Sequence, residues 1–151
     1  MSPRSSLDPS CGIARSLDVV GERWALLIVR DALVGSTRFS EFRSSLGVSP
    51  DILTARLATL VEHGVFERRS YQAPGERERE EYLLTPAGHD LLPVVATLGA
   101  WGFEHRPLEH PRRYAYVDET SGEHLRVAFV DSSGRVVETP DVAMVRVATP
   151  A

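Results

Sequence analysis

The sequence predicts an α+β fold in which four short helices, a β-hairpin and a long C-terminal helix precede a small β-rich extension. Apolar residues recur at helical spacing through the first part of the chain, up to Gly64. Two alternating segments then flank a charged turn, and a second alternating region occupies residues 112–148. We therefore expect two domains, at residues 8–105 and 112–148.

Composition excludes several classes of protein. The chain has 151 residues, a net charge of −4 and no lysine, so its 17 positive charges are all arginine. Any affinity for nucleic acid must therefore come from local placement of arginine rather than from the global charge. The sequence lacks an apolar run of about 18 residues and an apolar signal-peptide core, so we expect a cytoplasmic protein without a membrane partner. One cysteine and five scattered histidines predict neither a metal site nor a cofactor.

The first three helices are short and amphipathic. The turn-forming Asp8–Ser10 precedes "CGIARSLDVV", in which Ile13, Leu17 and Val20 follow helical spacing. The segment "ERWALLIVRDAL" predicts the second helix, and "TRFSEFRSSLG" predicts the third. Gly47 is expected to end the third helix.

Both ends of the fourth helix are marked by residues typical of helix boundaries. Ser49 is suited to the N-cap and Pro50 to the first helical position, while Gly64 ends the helix. One face is apolar and carries Leu53, Leu57 and Leu60. The opposite face has short or polar side chains, namely Asp51, Thr54, Ala55 and Ala58. This helix therefore has one face for a core and one free to approach a partner closely.

A hairpin and a long helix follow. The segments "VFERRSY" and "EEYLLT" read as strands around the charged tip "QAPGERERE". Thr85 and Pro86 predict the start of a fifth helix that continues to about Glu104. In the extension, turn signals predict three or four short strands, with turns at Thr120–Gly122, Ser132–Gly134 and Pro140–Asp141.

This order of elements is that of a helix-turn-helix followed by a β-hairpin wing. Residues Cys11–Gly102 resemble the HxlR-type winged helix-turn-helix transcription regulators, which are related to the MarR group. The resemblance lies in "CGIARSLDVVGERWALLIVRDALVGSTRFSEF", "GVSPDILTARLATLVEHGVFERRSY" and "EYLLTPAGHDLLPVVATLGAWG". It implies a homodimer that binds an inverted-repeat operator in double-stranded DNA. It also implies a dimer interface built from the first and fifth helices, with Ile13, Leu17, Leu91, Val95, Leu98 and Trp101.

The resemblance assigns DNA-binding residues to three places. Ser49, Pro50, Asp51 and Thr54 match the start of the recognition helix, Arg38 and Ser40 the start of the preceding helix, and Arg77 and Arg79 the wing. Many relatives have a basic or amide residue where this chain has Asp51, which cannot pair with phosphate but can accept from cytosine N4 or cap the helix. Arg56 is either a phosphate anchor or part of a structural ion pair with Glu41 or Asp31.

Cys11 has two interpretations. It lies at a predicted helix start, where the helix dipole favours the reactive thiolate, and HxlR-type proteins often have a cysteine there. It could sense an oxidant or electrophile, or it could be a small buried residue at the dimer interface. A small-molecule effector between the dimer helices is the related expectation, with Trp24 and Trp101 as its walls or simply as apolar anchors.

The resulting functional hypothesis is repression by operator occupancy. The alternative is a winged helix used for protein–protein contact without sequence-specific DNA binding, which the acidic balance and Asp51 favour. The sequence contains no Ser/His/Asp arrangement, paired catalytic carboxylates or Gly-rich phosphate loop, so we do not expect an enzyme.

Overall fold

The computed structural model describes residues 10–72, 74–75, 77–106, 109 and 114–146. Parts of the predicted cap, hairpin tip, interdomain linker and C-terminal end (residues 8–9, 73, 76, 107–108, 110–113 and 147–148) lie outside these residues. The chain divides into two units, Met1–Val95 and Ala96–Ala151. The predicted domain ranges 8–105 and 112–148 stay a prediction.

The four predicted helices are present in the first unit. They are α1 (Gly12–Val20), α2 (Arg23–Leu33), α3 (Phe39–Leu46) and α4 (Pro50–Glu62). Their apolar faces meet in one core, in which the predicted stripe of α4 is completely buried, with Leu53, Leu57 and Leu60 at most 1% exposed. Phe42 and Phe66 meet edge to face with 6.3 Å between ring centroids, a geometry worth about 1 kcal/mol beyond burial.

Glycine and a proline define the turn between α3 and α4. Gly47 has φ 62° and ends α3, a conformation that side chains with a Cβ rarely adopt. Ser49 then caps α4 by accepting a hydrogen bond of 3.4 Å from the amide of Ile52, and Pro50 occupies the first turn. Gly64, with φ 72°, follows α4. The predicted start of the fourth helix at Ser49 and Pro50 and its end before Gly64 are confirmed.

The wing is a two-stranded antiparallel sheet with an added bridge. Strand β1 (Phe66–Tyr71) pairs with β2 (Arg79–Leu84), and Tyr71 lies opposite Arg79. The amide of Tyr82 also donates to the carbonyl oxygen of Thr37 at 2.7 Å, next to a bridge between Arg38 and Glu81. This bridge, which the sequence did not predict, fixes the start of α3 against the hairpin.

The predicted continuous fifth helix is wrong at one point. It is divided into α5 (Pro86–His89) and α6 (Leu92–His105). Pro93 explains the division, because it has no amide to donate to the carbonyl of His89 and its ring would clash with that carbonyl. Thr85 caps α5 by accepting from the amide of Gly88, as expected.

The second unit contains the greater part of α6 and the β-rich extension. Strands β3 (Phe129–Val130) and β4 (Val136–Val137) form one antiparallel pair. An isolated bridge joins Val117 and His124, and the 3-10 helix η1 spans Thr139–Asp141. Turns therefore occur where the sequence predicts them, although the strands have only two residues each. Among the described residues of this unit, Ala96 is the sole buried apolar residue.

Candidate nucleic-acid interface

The exposed face of α4 carries short side chains. Asp51, Thr54, Ala55 and Ala58 are all exposed, and they lie on the side of the helix opposite the buried stripe. Ile52 flanks this face and is 43% exposed. Because no long side chain projects from the face, the helix backbone can come close to a partner surface.

Arg56 lies beside this face and is partly buried. Its Nη1 is 3.9 Å from Oε1 of Glu22, so both predicted partners, Glu41 and Asp31, are wrong. Asp31 is instead buried and accepts from Nε and Nη2 of Arg30 at 2.9 and 2.7 Å. The long contact with an exposed Glu22 is weak, and the phosphate-anchor role of Arg56 stays a prediction.

Glu41 organises the start of α3. Its Oε2 accepts hydrogen bonds from the amides of Thr37 at 2.8 Å and Arg38 at 2.9 Å. These two hydrogen bonds lower the pKa of Glu41 below the ordinary value of 4.5, and the bond from the Arg38 amide has the larger effect. The sequence signal was a glutamate three residues after the N-cap position, as in a capping box. The ionised carboxylate therefore fixes the backbone at Arg38 and, with it, the point from which the Arg38 side chain extends.

An open groove of about 380 Å³ lies between the start of α3 and the hairpin. Its lining residues are Arg38, Phe39, Ser40, Tyr71, Arg79, Glu80 and Tyr82. The guanidinium carbon of Arg38 lies 4.7 Å from the centroid of the Tyr71 ring. The groove thus brings together three predicted DNA-binding residues with two tyrosines that the sequence did not single out, although their place in the wing strands was a signal.

Burial, with a smaller contribution from Glu80, raises the pKa of Tyr82 above its ordinary value of 10.0. Its phenol therefore stays neutral at physiological pH and keeps a proton to donate.

The arginines of the hairpin region fall into two groups. Arg68 contacts Glu80 at 3.7 Å and Arg69 contacts Glu67 at 3.3 Å. Within the described part of the chain, neither Arg38, Arg77 nor Arg79 forms an ion pair with a carboxylate. The three arginines assigned to DNA at the start of α3 and in the wing are thus available for an external anion. Arg77 is exposed and lies outside the groove.

The residues predicted at the dimer interface divide into two sets. Leu91 and Val95 pack against the core of the first unit. The other four are more than half exposed: Ile13, Leu17, Leu98 and Trp101. Cys11 is a partly exposed free thiol at the N-cap position of α1. Trp24 is partly buried against the core, with the guanidinium of Arg23 5.0 Å from its ring centroid.

The described residues contain neither a metal-binding cluster nor a membrane-spanning helix. No three histidine, cysteine, aspartate or glutamate side chains come together as a metal site within the described ranges. Nor does any helix of those ranges have the length and apolarity needed to cross a bilayer.

A helix-turn-helix with a clear recognition face, followed by a wing with available arginines, defines a DNA-binding transcription regulator. The chain belongs to the HxlR-like helix-turn-helix family, whose pattern matches residues 19–111, more than half of its length. It is 41% identical over 112 residues to an uncharacterised HTH-type transcriptional regulator of Mycobacterium tuberculosis, covering 74% of this chain and 70% of that protein. The family consists of transcription regulators rather than enzymes.

Solved structures agree with this assignment. The structure of PA1607, described as a candidate transcription factor, has 37% identity and a TM-score of 0.78, and covers 92% of this chain and 96% of that chain. The match therefore extends into the β-rich extension. The oxidised form of the redox regulator HypR has 30% identity and a TM-score of 0.58, covering 65% of this chain and all of that chain (100%).

Proposed function

We propose that the chain binds an inverted-repeat operator as a homodimer and represses transcription by occupying the DNA. The observation that carries this proposal is the exposed, short-side-chain face of α4, set opposite a fully buried stripe. A helix is about 10–12 Å across with its side chains, and the major groove is about 12 Å wide. Short side chains on the leading face allow the helix to seat deeply. Ser49, Pro50, Asp51 and Thr54 then lie nearest the base edges.

Charge makes this binding modest and sensitive to salt. From Arg23 to Thr85 the sequence has nine arginines and nine acidic residues. Asp51 cannot pair with phosphate, so its carboxylate is directed to a cytosine N4 amine or to the helix cap. Phosphate contact then rests on Arg38, Arg77 and Arg79, with Ser40 as a neutral donor and Arg56 at the edge. Such contacts weaken as counterion concentration rises.

Exposed apolar side chains support the homodimer. Large apolar residues exposed in contiguous patches mark association surfaces. In this chain, large apolar residues are exposed on α1 (Ile13, Leu17), on α6 (Leu98, Trp101) and in the extension, where Phe129 is 56% and Met144 94% exposed. We infer that α1, α6 and the extension all contribute to the contact between subunits. Two copies of α4 would then read half-sites about 34 Å apart.

Regulation through Cys11 is the finer part of the proposal. The thiol is partly exposed at the start of α1, a helix assigned to the subunit contact. The similarity to HypR, a redox regulator with both oxidised and reduced structures, supports a thiol-based signal. With one cysteine in the chain, the modification would be an adduct, a sulfenic acid or a bridge between subunits. The alternative role of Cys11 is a small interface residue.

A protein–protein interaction module is the second candidate function. The net charge of −4 and the exposed Asp51 and Glu62 on α4 favour it, because both repel the DNA backbone. A purely protein-binding module would show no preference between DNA sequences.

A gel-shift assay with DNA from upstream of the protein's own gene separates the two functions. We expect retardation that exceeds that of a scrambled duplex and weakens with salt. Ala55→Glu should abolish it, because it adds a long anionic side chain to the exposed face of α4. Val34→Glu places the same charge on a residue 62% exposed after α2, outside the proposed subunit contact, and it should bind like the wild type. Equal binding to the scrambled duplex, or unaffected binding by Ala55→Glu, would reject operator recognition through α4.

A further inference from the structure

The groove between α3 and the hairpin joins two arginines from different elements. Arg38 leaves the start of α3, and Arg79 begins β2. Both line the groove, and neither forms an ion pair with another described residue. We propose that this groove clamps one phosphodiester of the bound DNA, and that Tyr71 is the positioning residue that holds Arg38 for it.

The stack on Tyr71 leaves Arg38 able to bind. The guanidinium carbon lies over the ring at 4.7 Å from its centroid, which is a cation–π contact. This contact does not use the N–H groups as donors to an oxygen, so two parallel hydrogen bonds to phosphate oxygens can form. A long side chain that is already ordered loses less freedom on binding. Tyr71 therefore acts on phosphate affinity through Arg38.

The hairpin register supplies the second cation. Tyr71 lies opposite Arg79, so the residue under Arg38 is paired directly with the other groove arginine. The hydrogen bond between Tyr82 and Thr37 and the bridge between Arg38 and Glu81 connect the two walls through the backbone. The spacing between the arginines is therefore set by paired backbone rather than by flexible side chains alone.

The remaining groove residues agree with a phosphodiester. Ser40 offers a hydroxyl and Tyr82 a neutral phenol, both of which donate to phosphate oxygens. Among the described residues, Glu80 is the one acidic residue in the lining, and its carboxylate is 3.7 Å from Arg68, which offsets its charge. The groove is open to solvent, so a DNA strand can reach it. Sugar-phosphate contacts position a protein without reading sequence, so the clamp should act on any duplex.

The test measures binding to a random-sequence duplex against salt concentration, and it rests on the proposed DNA-binding function. Removing one phosphate contact should reduce the slope of log affinity against log salt by about 0.9. We expect that reduction for the double variant Arg38→Gln/Arg79→Gln, because either arginine alone would still neutralise the clamped phosphate. Arg43→Gln is the matched control, because Arg43 is exposed in the last turn of α3 and does not line the groove. It should keep the wild-type slope.

Variants at Tyr71 test positioning. Tyr71→Leu should weaken binding about two- to fivefold, the range expected for loss of one exposed cation–π contact, whereas Tyr71→Phe keeps the ring and should bind like the wild type. In the Arg38→Gln background, Tyr71→Leu should have no further effect, since no cation remains to be positioned. Arg38→Lys keeps the charge without the planar fork and should resemble Tyr71→Leu, which guards against loss of folding in the tyrosine variant.

The outcomes separate the clamp from the proposed function. If the wild type binds duplexes and Arg38→Gln/Arg79→Gln has the same slope as Arg43→Gln, the clamp is wrong and DNA binding stands. Additive effects of Arg38→Gln and Tyr71→Leu would reject the positioning role of Tyr71. If the wild type binds no duplex at any salt concentration, both proposals fail together.

Discussion

Three single polar side chains complete the backbone hydrogen bonding at helix ends. Ser49 accepts from Ile52 at the start of α4, Thr85 from Gly88 at the start of α5, and Glu41 from two amides before α3. The first amides of a helix have no partner within it, so each such contact satisfies a donor that would otherwise need water. Glu41 differs from the others because its contribution titrates.

Glu41 makes stability depend on pH. Its pKa in the folded protein is lowered below 4.5 by the amides of Arg38 and Thr37, so its contribution is present above the unfolded-state pKa. The contribution is lost as pH falls through the folded-state pKa. We expect Glu41→Ala to reduce stability by about 0.5–1 kcal/mol at pH 7, the range of a typical cap. In thermal unfolding, the gap from the wild type should close as pH falls below 4.5.

Glu62→Ala is the control for this measurement. Glu62 is the exposed last residue of α4, so its replacement should leave the acid dependence of the wild type unchanged. A Glu41→Ala variant whose stability deficit is as large at pH 3 as at pH 7 would show that the carboxylate charge plays no part.

Cys11 provides a second prediction for a single side chain. If it is the sensor, a quinone or peroxide should release the wild-type protein from DNA. Cys11→Ser should bind DNA equally well and resist release, because serine keeps the size and cannot form the adduct or the sulfenic acid. The measurement is a gel shift with and without the reagent. Mass spectrometry of the intact chain, which has no second cysteine, identifies the modification. Release of Cys11→Ser by the same reagent would reject the sensor role.

At the scale of elements, the sequence predicts what depends on local chemistry. The boundaries of α4 follow from Ser49, Pro50 and Gly64, and its buried face follows from the spacing of its leucines. Both features could therefore be predicted from the sequence alone. The hairpin was predictable for the same reason. The division between α5 and α6 was also encoded locally, in Pro93, but the continuous apolar pattern on either side concealed it.

Contacts between segments that are distant in the sequence could not be predicted from its pattern. The stack of Arg38 on Tyr71 joins residues 33 positions apart, and the bridge from Arg38 to Glu81 spans 43 positions. Neither leaves a periodic signal, because each depends on how the hairpin folds back against α3. The partner of Arg56 was mispredicted for the same reason. The packing of α1, α2 and α4 brings Arg56 next to Glu22, and not next to Glu41 or Asp31.

At the scale of the whole molecule, apolar burial is distributed very unevenly. The core of the first unit includes residues with no exposed surface, such as Ile28 and Phe42. In the second unit, the described residues contribute one buried apolar side chain, Ala96. Two-residue strands are too short to be stable without further packing. The second unit therefore has the surface expected of a segment completed by association, which supports assigning it to the subunit contact.

The last prediction tests that assignment with Leu98→Glu. Leu98 is 54% exposed on α6, so a charge there costs little in a monomer but would be desolvated in a dimer. We expect light scattering to give the 16.7 kDa chain rather than twice that mass. Operator affinity should fall about 10²- to 10⁴-fold, because the second α4 no longer binds at high effective concentration. Val34→Glu places the same charge on a residue 62% exposed after α2, and should leave mass and affinity unchanged. A Leu98→Glu variant that remains dimeric would show that the subunit contact does not lie on this face of α6.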